Sequence, residues 1–250
     1  MLVKDENKNK KEFIERRIFI KNICWPACSH GVLNMKFGNK YYRGSGTLIS
    51  SNIIITAAHN FYNEKLGLAH SIEFLAGANG KNCQAKSSIS HFYFPEKYKE
   101  DCKFTDYKIF QNDYAIGILD KPLSTAVGHY GLSIIPEEKL KMITINVTGY
   151  PAEKPEKGAN DYQLWGMKGN ILKKDTFGLI HYEIDTEPGQ SGSGIWYKDG
   201  NNFYVIAVHV FGSEKYNGGV LLTEERITTI NKWINEHDKN SKANECKLPF

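Results

Sequence analysis

From Phe13 to about Leu222 the chain alternates short apolar runs with turn residues. VLNMKF, KYYRGSGTLIS, NIIITAA, SIEFLAG, SISHFYF, YAIGILD, ITINVTGY, LIHYEID, SGIWY, FYVIAVHV and GGVLL follow one another at irregular spacing. Such runs predict about a dozen strands with long loops between some of them, as in two barrels or a large sandwich. Gly38-Asn39, between the first two runs, reads as a hairpin turn. The pattern changes at TEERITTINKWINEH. There Thr223 stands at an N-cap position, Glu224 and Glu225 occupy the first turn, and Ile227, Ile230, Trp233 and Ile234 share one face. This predicts an amphipathic helix docked on the β body. Residues 1–16 read as a flexible arm, residues 17–237 as the folded domain, and Asp238–Phe250 as a frayed tail. Within the domain a division into two lobes is expected near residues 120–140. Pro151–Asn160 reads as an exposed loop.

Composition narrows the classes. A chain of 250 residues fits one large domain or a two-lobed one. The net charge of +4 comes from basic residues interleaved with acids, unlike the one-sided basic face of a nucleic-acid binder, so no nucleic-acid partner is expected. No run of about 18 apolar residues is present, so no membrane span is expected. The start, MLVKDENKNKKEF, lacks the apolar stretch of a secretory signal. The chain therefore works in the cytosol, has lost a signal, or is exported by another route. Cys24, Cys28, Cys83, Cys102 and Cys246 are odd in number and have no metal-ligand spacing. Free thiols are the first reading, with one or two disulfides as the alternative. No metal and no cofactor are expected.

One stretch carries more glycine than a strand or a linker needs: DTEPGQSGSGIW, residues 185–196. A nucleophilic serine needs an exposed Oγ, a base, and two backbone N–H groups aimed at a developing oxyanion. Glycines on either side permit the sharp turn that aims them. In Gly189-Gln190-Ser191-Gly192 the N–H groups of Gly189 and Ser191 are candidates for that role, which favours Ser191 as nucleophile. Ser193 is the competitor, but a strand has already begun there. His59 follows an apolar strand and two alanines in IIITAAHNFY, and Asp113 stands at the mouth of a strand in NDYAIGILD. Asp106 in FTDYKIF competes with Asp113, but lacks the small residue and apolar strand that follow it.

The order His59, Asp113, Ser191 and the motifs around it resemble the chymotrypsin-like serine proteases. TAAH, NDYAIGILDKPLSTAVGHYG, INVTGYP, HYEIDTEPGQSGSGIW and VIAVHV narrow the resemblance to the bacterial glutamyl endopeptidases, V8-like, over about Arg17 to His237. The resemblance implies a mainly β, two-lobed chymotrypsin-like double β-barrel with a C-terminal α-helix. It implies a secreted serine endopeptidase acting on protein or peptide substrates through a His59–Asp113–Ser191 triad, as a monomer. It also implies that His209 and Thr186 receive an acidic P1 side chain, as a cation and a hydroxyl donor. Asp185 is the rival: at its offset from the nucleophile, trypsin-like enzymes carry an Asp that binds Lys or Arg. A third reading is a catalytically silent protease-fold binding protein, against which the intact triad argues. Departures from the family pattern are Gly194 where members usually have proline, and Asn60 where some relatives have a cysteine. Gln190 stands where the animal digestive branch has an Asp that pairs with a freshly cut N-terminus.

Overall fold

The computed structural model describes residues 15–103, 107–152, 162–213 and 215–245. Asp106 and most of the expected 151–160 loop lie outside them. The chain is mainly β, built from two closed six-stranded rings. In the first, His30–Phe37, Lys40–Leu48, Ile53–Thr56, Ala115–Leu119, Ala85–Tyr93 and Ser71–Ala76 pair in that order, and the last returns to the first. In the second the order is Trp165–Lys174, Thr144–Gly149, Gly194–Asp199, Asn202–Phe211, Asn217–Leu221 and Leu179–Tyr182, which pairs back to Trp165–Lys174. The last strand of the first ring ends at Leu119, and the first of the second starts at Thr144. The hairpin at Gly38-Asn39 forms as expected, with Phe37 opposite Lys40.

Successive residues of a strand face opposite sides, and here both sides are apolar and buried. Ile54 points into the first barrel with Leu33 and Phe74. Its neighbours Ile53 and Ile55 point outward, with Ile116 and Ile118, against Val205 and Val208 of the second barrel. Ile145, Val147, Ile195 and Ile206 fill the second barrel itself. A fully buried side chain of this size contributes about 2 kcal/mol, against about 0–1 kcal/mol for an exposed ion pair. An apolar seam therefore joins the lobes.

The strand Trp165–Lys174 carries no strong signal in the sequence. Only Gly166 and Ile171 in it are fully buried, among lysines and glycines that dilute the alternation. It forms because it is paired on both edges.

The C-terminal helix runs Glu224–Glu245, past the Asp238 where a frayed tail was expected. Thr223 accepts the Ile227 N–H on its carbonyl at 2.9 Å and the Arg226 N–H on its hydroxyl at 3.4 Å. Ile230, Ile227, Trp233 and Ile234 pack into the seam cluster, and the Trp233 ring stacks on Tyr93. Arg226 donates to the carbonyls of Leu221, Gly178, Phe177 and Gln111 at 2.7–3.1 Å. It ties the helix to the Phe177–Gly178 turn and to the loop that leads into Asp113.

Replacing Arg226 by Met takes the donor from the Phe177 and Gln111 carbonyls, while Gly178 keeps the Leu221 N–H and Leu221 keeps the Thr223 N–H. The expected loss is about 3 kcal/mol in urea unfolding, with the slope unchanged.

Candidate active site

His59 and Asp113 come from the first barrel. His59 sits in a short 3-10 turn, Ala58–Asn60, just after the strand Ile53–Thr56. Asp113 stands two residues before the start of the paired strand Ala115–Leu119. The loop before it is fixed by buried Asp101, whose carboxylate accepts from the side-chain amides of Gln111 at 2.9 Å and Asn112 at 2.6 Å. Asp113 is buried and uses both oxygens on His59: Oδ1 accepts the backbone N–H at 2.9 Å and Oδ2 pairs with Nδ1 at 2.6 Å. The Nδ1 proton is therefore held toward the carboxylate, which leaves Nε2 as the free base. Burial pushes the His59 pKa down, but the charge and hydrogen bond of Asp113 push it up, and the net direction is upward from 6.5.

Ser191 comes from the second barrel. It is partly exposed and shares the wall of a cavity of about 220 Å³ with His59 and Asn60. The turn around it is held peptide by peptide. The Pro188 carbonyl accepts the Ala152 N–H at 2.7 Å, and the Gln190 carbonyl accepts the Ser193 N–H at 3.1 Å. A trans peptide carries its C=O and N–H on opposite sides. The N–H groups of Gly189 and Ser191 therefore turn away from those bonds, and among the described residues neither is given to an acceptor. The intervening Gln190 and Gly192 N–H groups are taken, by the carbonyls of Glu187 at 3.0 Å and His209 at 2.8 Å. Gly189 and Gly192 have φ of +94° and +88°, which a side chain rarely adopts. Ser193 is fully buried, and its Oγ has no partner among the described residues. It is sealed away from any substrate.

The departures from the family pattern each have a local reason. Gly194 uses its N–H on Thr47 Oγ1 at 3.0 Å, which proline could not do. Asn60 donates to Thr56 Oγ1 at 2.8 Å and to the Ser191 carbonyl at 3.2 Å, so it links the His59 turn to the Ser191 turn by hydrogen bonds. Cys24, Cys28, Cys83 and Cys102 are free thiols.

A larger cleft of about 950 Å³ opens on the other side of Ser191, and Asp185, Thr186 and His209 line it. The surroundings of His209 work against the expected cation. The ring is buried, Nδ1 meets the Tyr182 hydroxyl at 2.7 Å, and burial together with nearby His59 lowers its pKa to about 3. Asp185 is already paired. Arg16 donates to its two oxygens at 2.7 and 2.5 Å, and to the Glu183 carbonyl at 3.1 Å. Arg16, assigned to a flexible arm by sequence, is anchored here. Sequence reading missed it, together with Ser45, which donates its hydroxyl to the Gly189 carbonyl at 2.8 Å and its N–H to the Ser191 carbonyl at 2.9 Å. The adjacent Arg16-Arg17 pair just before the apolar Ile18-Phe19-Ile20 was the available signal.

Residues 29–234 match the family model described as trypsin. The chain belongs to that family. It is 27% identical over 226 residues to a protein of Bacillus subtilis (strain 168) named "Extracellular metalloprotease", covering 89% of this chain and 68% of that one. It is similar to the structure of a Glu endopeptidase in complex with MPD, with 27% identity, a TM-score of 0.72, and coverage of 86% of this chain and 95% of that one. The protease Anisep from Arthrobacter nicotinovorans shares the fold at 16% identity, with a TM-score of 0.66 and coverage of 82% and 93%. The Bacillus protein's name refers to a metal. Among the described residues of this chain, no three His, Cys, Asp or Glu side chains group to hold one.

The raised His59 pKa has a stability consequence. The charged pair with Asp113 stabilises the fold fully below the unfolded imidazole value, and that contribution is lost as pH rises through the folded value. NMR titration of His59 should give a value above 6.5. In Asp113→Asn it should fall below the ordinary imidazole value, because burial then acts unopposed.

Proposed function

We propose that this protein is a serine endopeptidase that cuts peptide bonds after Glu, or Asp, through His59, Asp113 and Ser191. The reading is carried by the position of Ser191, between the Asp113-braced imidazole on one side and the Thr186–His209 cleft on the other. In this scheme His59 Nε2 takes the Ser191 proton as Oγ attacks the substrate carbonyl. The oxyanion forms against the N–H groups of Gly189 and Ser191, and the proton then passes to the leaving amine. Water, activated by the same imidazole, releases the acyl group. All of these groups come from one chain, so a monomer suffices, and the substrates are proteins or peptides. An extracellular workplace belongs to the same proposal and rests on the name of the Bacillus relative.

The choice of an acidic P1 residue is supported by what Asp185 and His209 are doing. A carboxylate already clamped by Arg16 is a poor receptor for a Lys or Arg side chain. Thr186 offers a hydroxyl, and neutral His209 can take up a proton when a carboxylate arrives, because a nearby negative charge raises an imidazole pKa. The name of the Glu endopeptidase agrees with this choice.

Ser191→Ala should lower peptide hydrolysis on the order of 10⁴-fold while the protein stays folded, and Ser193→Ala should cost far less. Equal activity of Ser191→Ala and the parent would end the proposal. Among matched peptides differing only at P1, Glu should outrun Gln by roughly 10²-fold in kcat/KM. That margin should collapse in His209→Ala and persist in Asp185→Asn. Fast cleavage after Lys that disappears in Asp185→Asn would instead give the trypsin-like specificity.

A further inference from the structure

We propose that Arg17 is a positioning residue for the nucleophile turn, acting through the side chain of Gln190. The inference rests on the reading of Ser191 as nucleophile. The Arg17 side chain has no exposed surface. A buried guanidinium is costly unless its donors are matched, and this one is matched by the nucleophile segment on one side and by Glu15 on the other. Nη1 donates to Gln190 Oε1 at 2.9 Å, and Nη2 approaches Glu187 Oε1 at 3.4 Å. Nε and Nη2 reach the two oxygens of Glu15 at 2.8 Å each. The guanidinium also lies 5.7 Å from the Trp165 ring centre.

Gln190 is buried, and the turn is wrapped around it. Its Oε1 also accepts the Glu187 N–H at 2.9 Å, its own N–H goes to the Glu187 carbonyl, and its carbonyl takes the Ser193 N–H. That last bond fixes the peptide whose other end is the Ser191 N–H. Arg17 thus sets the side chain around which both oxyanion donors are aimed. Arg16 holds the far end of the same segment at Asp185 and Glu183.

Without the guanidinium, Gln190 Oε1 keeps one donor, and Glu15 and Glu187 lose the cation between them. Both effects loosen residues 187–191, one wall of the cleft, and leave His209 on the other wall held by Tyr182. The loss therefore belongs to the transition state rather than to substrate binding. Removing one oxyanion donor typically costs about 10²–10³-fold in turnover, and a loosened pair should cost on the order of 10²-fold.

The test uses the full chain and compares Arg17→Met, Arg17→Lys, Gln190→Met and the Arg17→Met/Gln190→Met double variant. Arg17→Met should lower kcat on a Glu peptide about 10²-fold with KM within about threefold. Arg17→Lys should recover part of the loss. Gln190→Met should match Arg17→Met, and the double variant should be no worse than either. Hydrogen exchange read by mass spectrometry should accelerate in peptides covering 185–193, and in the first barrel only at Ser45, whose N–H is bonded to the Ser191 carbonyl. Unchanged kcat, additive losses, or exchange that is unchanged at 185–193 or faster throughout would overturn the proposal. If the parent protein cuts none of the peptides, the protease reading fails, and the exchange result alone then decides whether Arg17 holds the turn. If Arg17→Met does not fold, Arg17→Lys and Gln190→Met carry the same comparison.

Discussion

A peptide unit is rigid, and its N–H cannot be aimed without deciding where its C=O goes. The turn at 188–192 depends on that constraint. Pro188 and Gln190 give their carbonyls to N–H groups of the second lobe, from Ala152 and Ser193. Gly189 and Ser191 give theirs to the first lobe: Ser45 Oγ donates to Gly189, and the Ser45 N–H and Asn60 to Ser191. Alternate peptides are thus gripped by opposite lobes. The turn belongs to the second barrel by sequence, and half of it belongs to the first barrel by hydrogen bonding. A shift of one lobe against the other would pull on the 189–190 and 191–192 peptides, which flank the ones that carry the free N–H groups.

The apolar seam prevents such a shift. Ile53, Ile55, Ile116 and Ile118 lie on the same two strands that deliver His59 and Asp113. Val205 and Val208 lie on the strand that carries His209. The same alternation that fills the barrels therefore also sets the spacing between the imidazole and the serine. Arg226 and Trp233 fasten the C-terminal helix across both lobes, on the side that carries the loop into Asp113. Polar groups aim the site, and hydrocarbon fixes its dimensions.

What could be read in advance follows the range of each interaction. Strands with apolar residues on both faces, such as NIIITAA and FYVIAVHV, were legible because their burial is written in consecutive residues. Trp165–Lys174 was not, since its place comes from partners on both edges and little from its own side chains. His59, Asp113 and Ser191 could be singled out as candidates because each sits in a local motif that constrains its own backbone. The occupant of Asp185 was hidden, because Arg16 arrives from 169 positions away. The charge of His209 was hidden too: residue type gives an imidazole, and only burial beside Tyr182 makes it neutral. Ser193 shows the same limit from the other side. Its glycine neighbours made it look like a rival of Ser191, and only its enclosure removes it.

The closed rings bear on how such a molecule survives its own company. A protease of the proposed kind meets other copies of itself at every collision, and a bond is cut only when the chain around it can be drawn out straight into a neighbour's cleft. Glu73 lies in mid-strand, facing Asn34 on one side and Ser88 on the other. Drawing it out would break two ladders at once, because a closed sheet has no free edge from which to peel. Glu137 and Glu138 sit exposed in a short 3-10 segment with no such neighbours. Ring closure thus sorts the molecule's own glutamates into guarded and vulnerable ones, and confines self-digestion to the connections between strands.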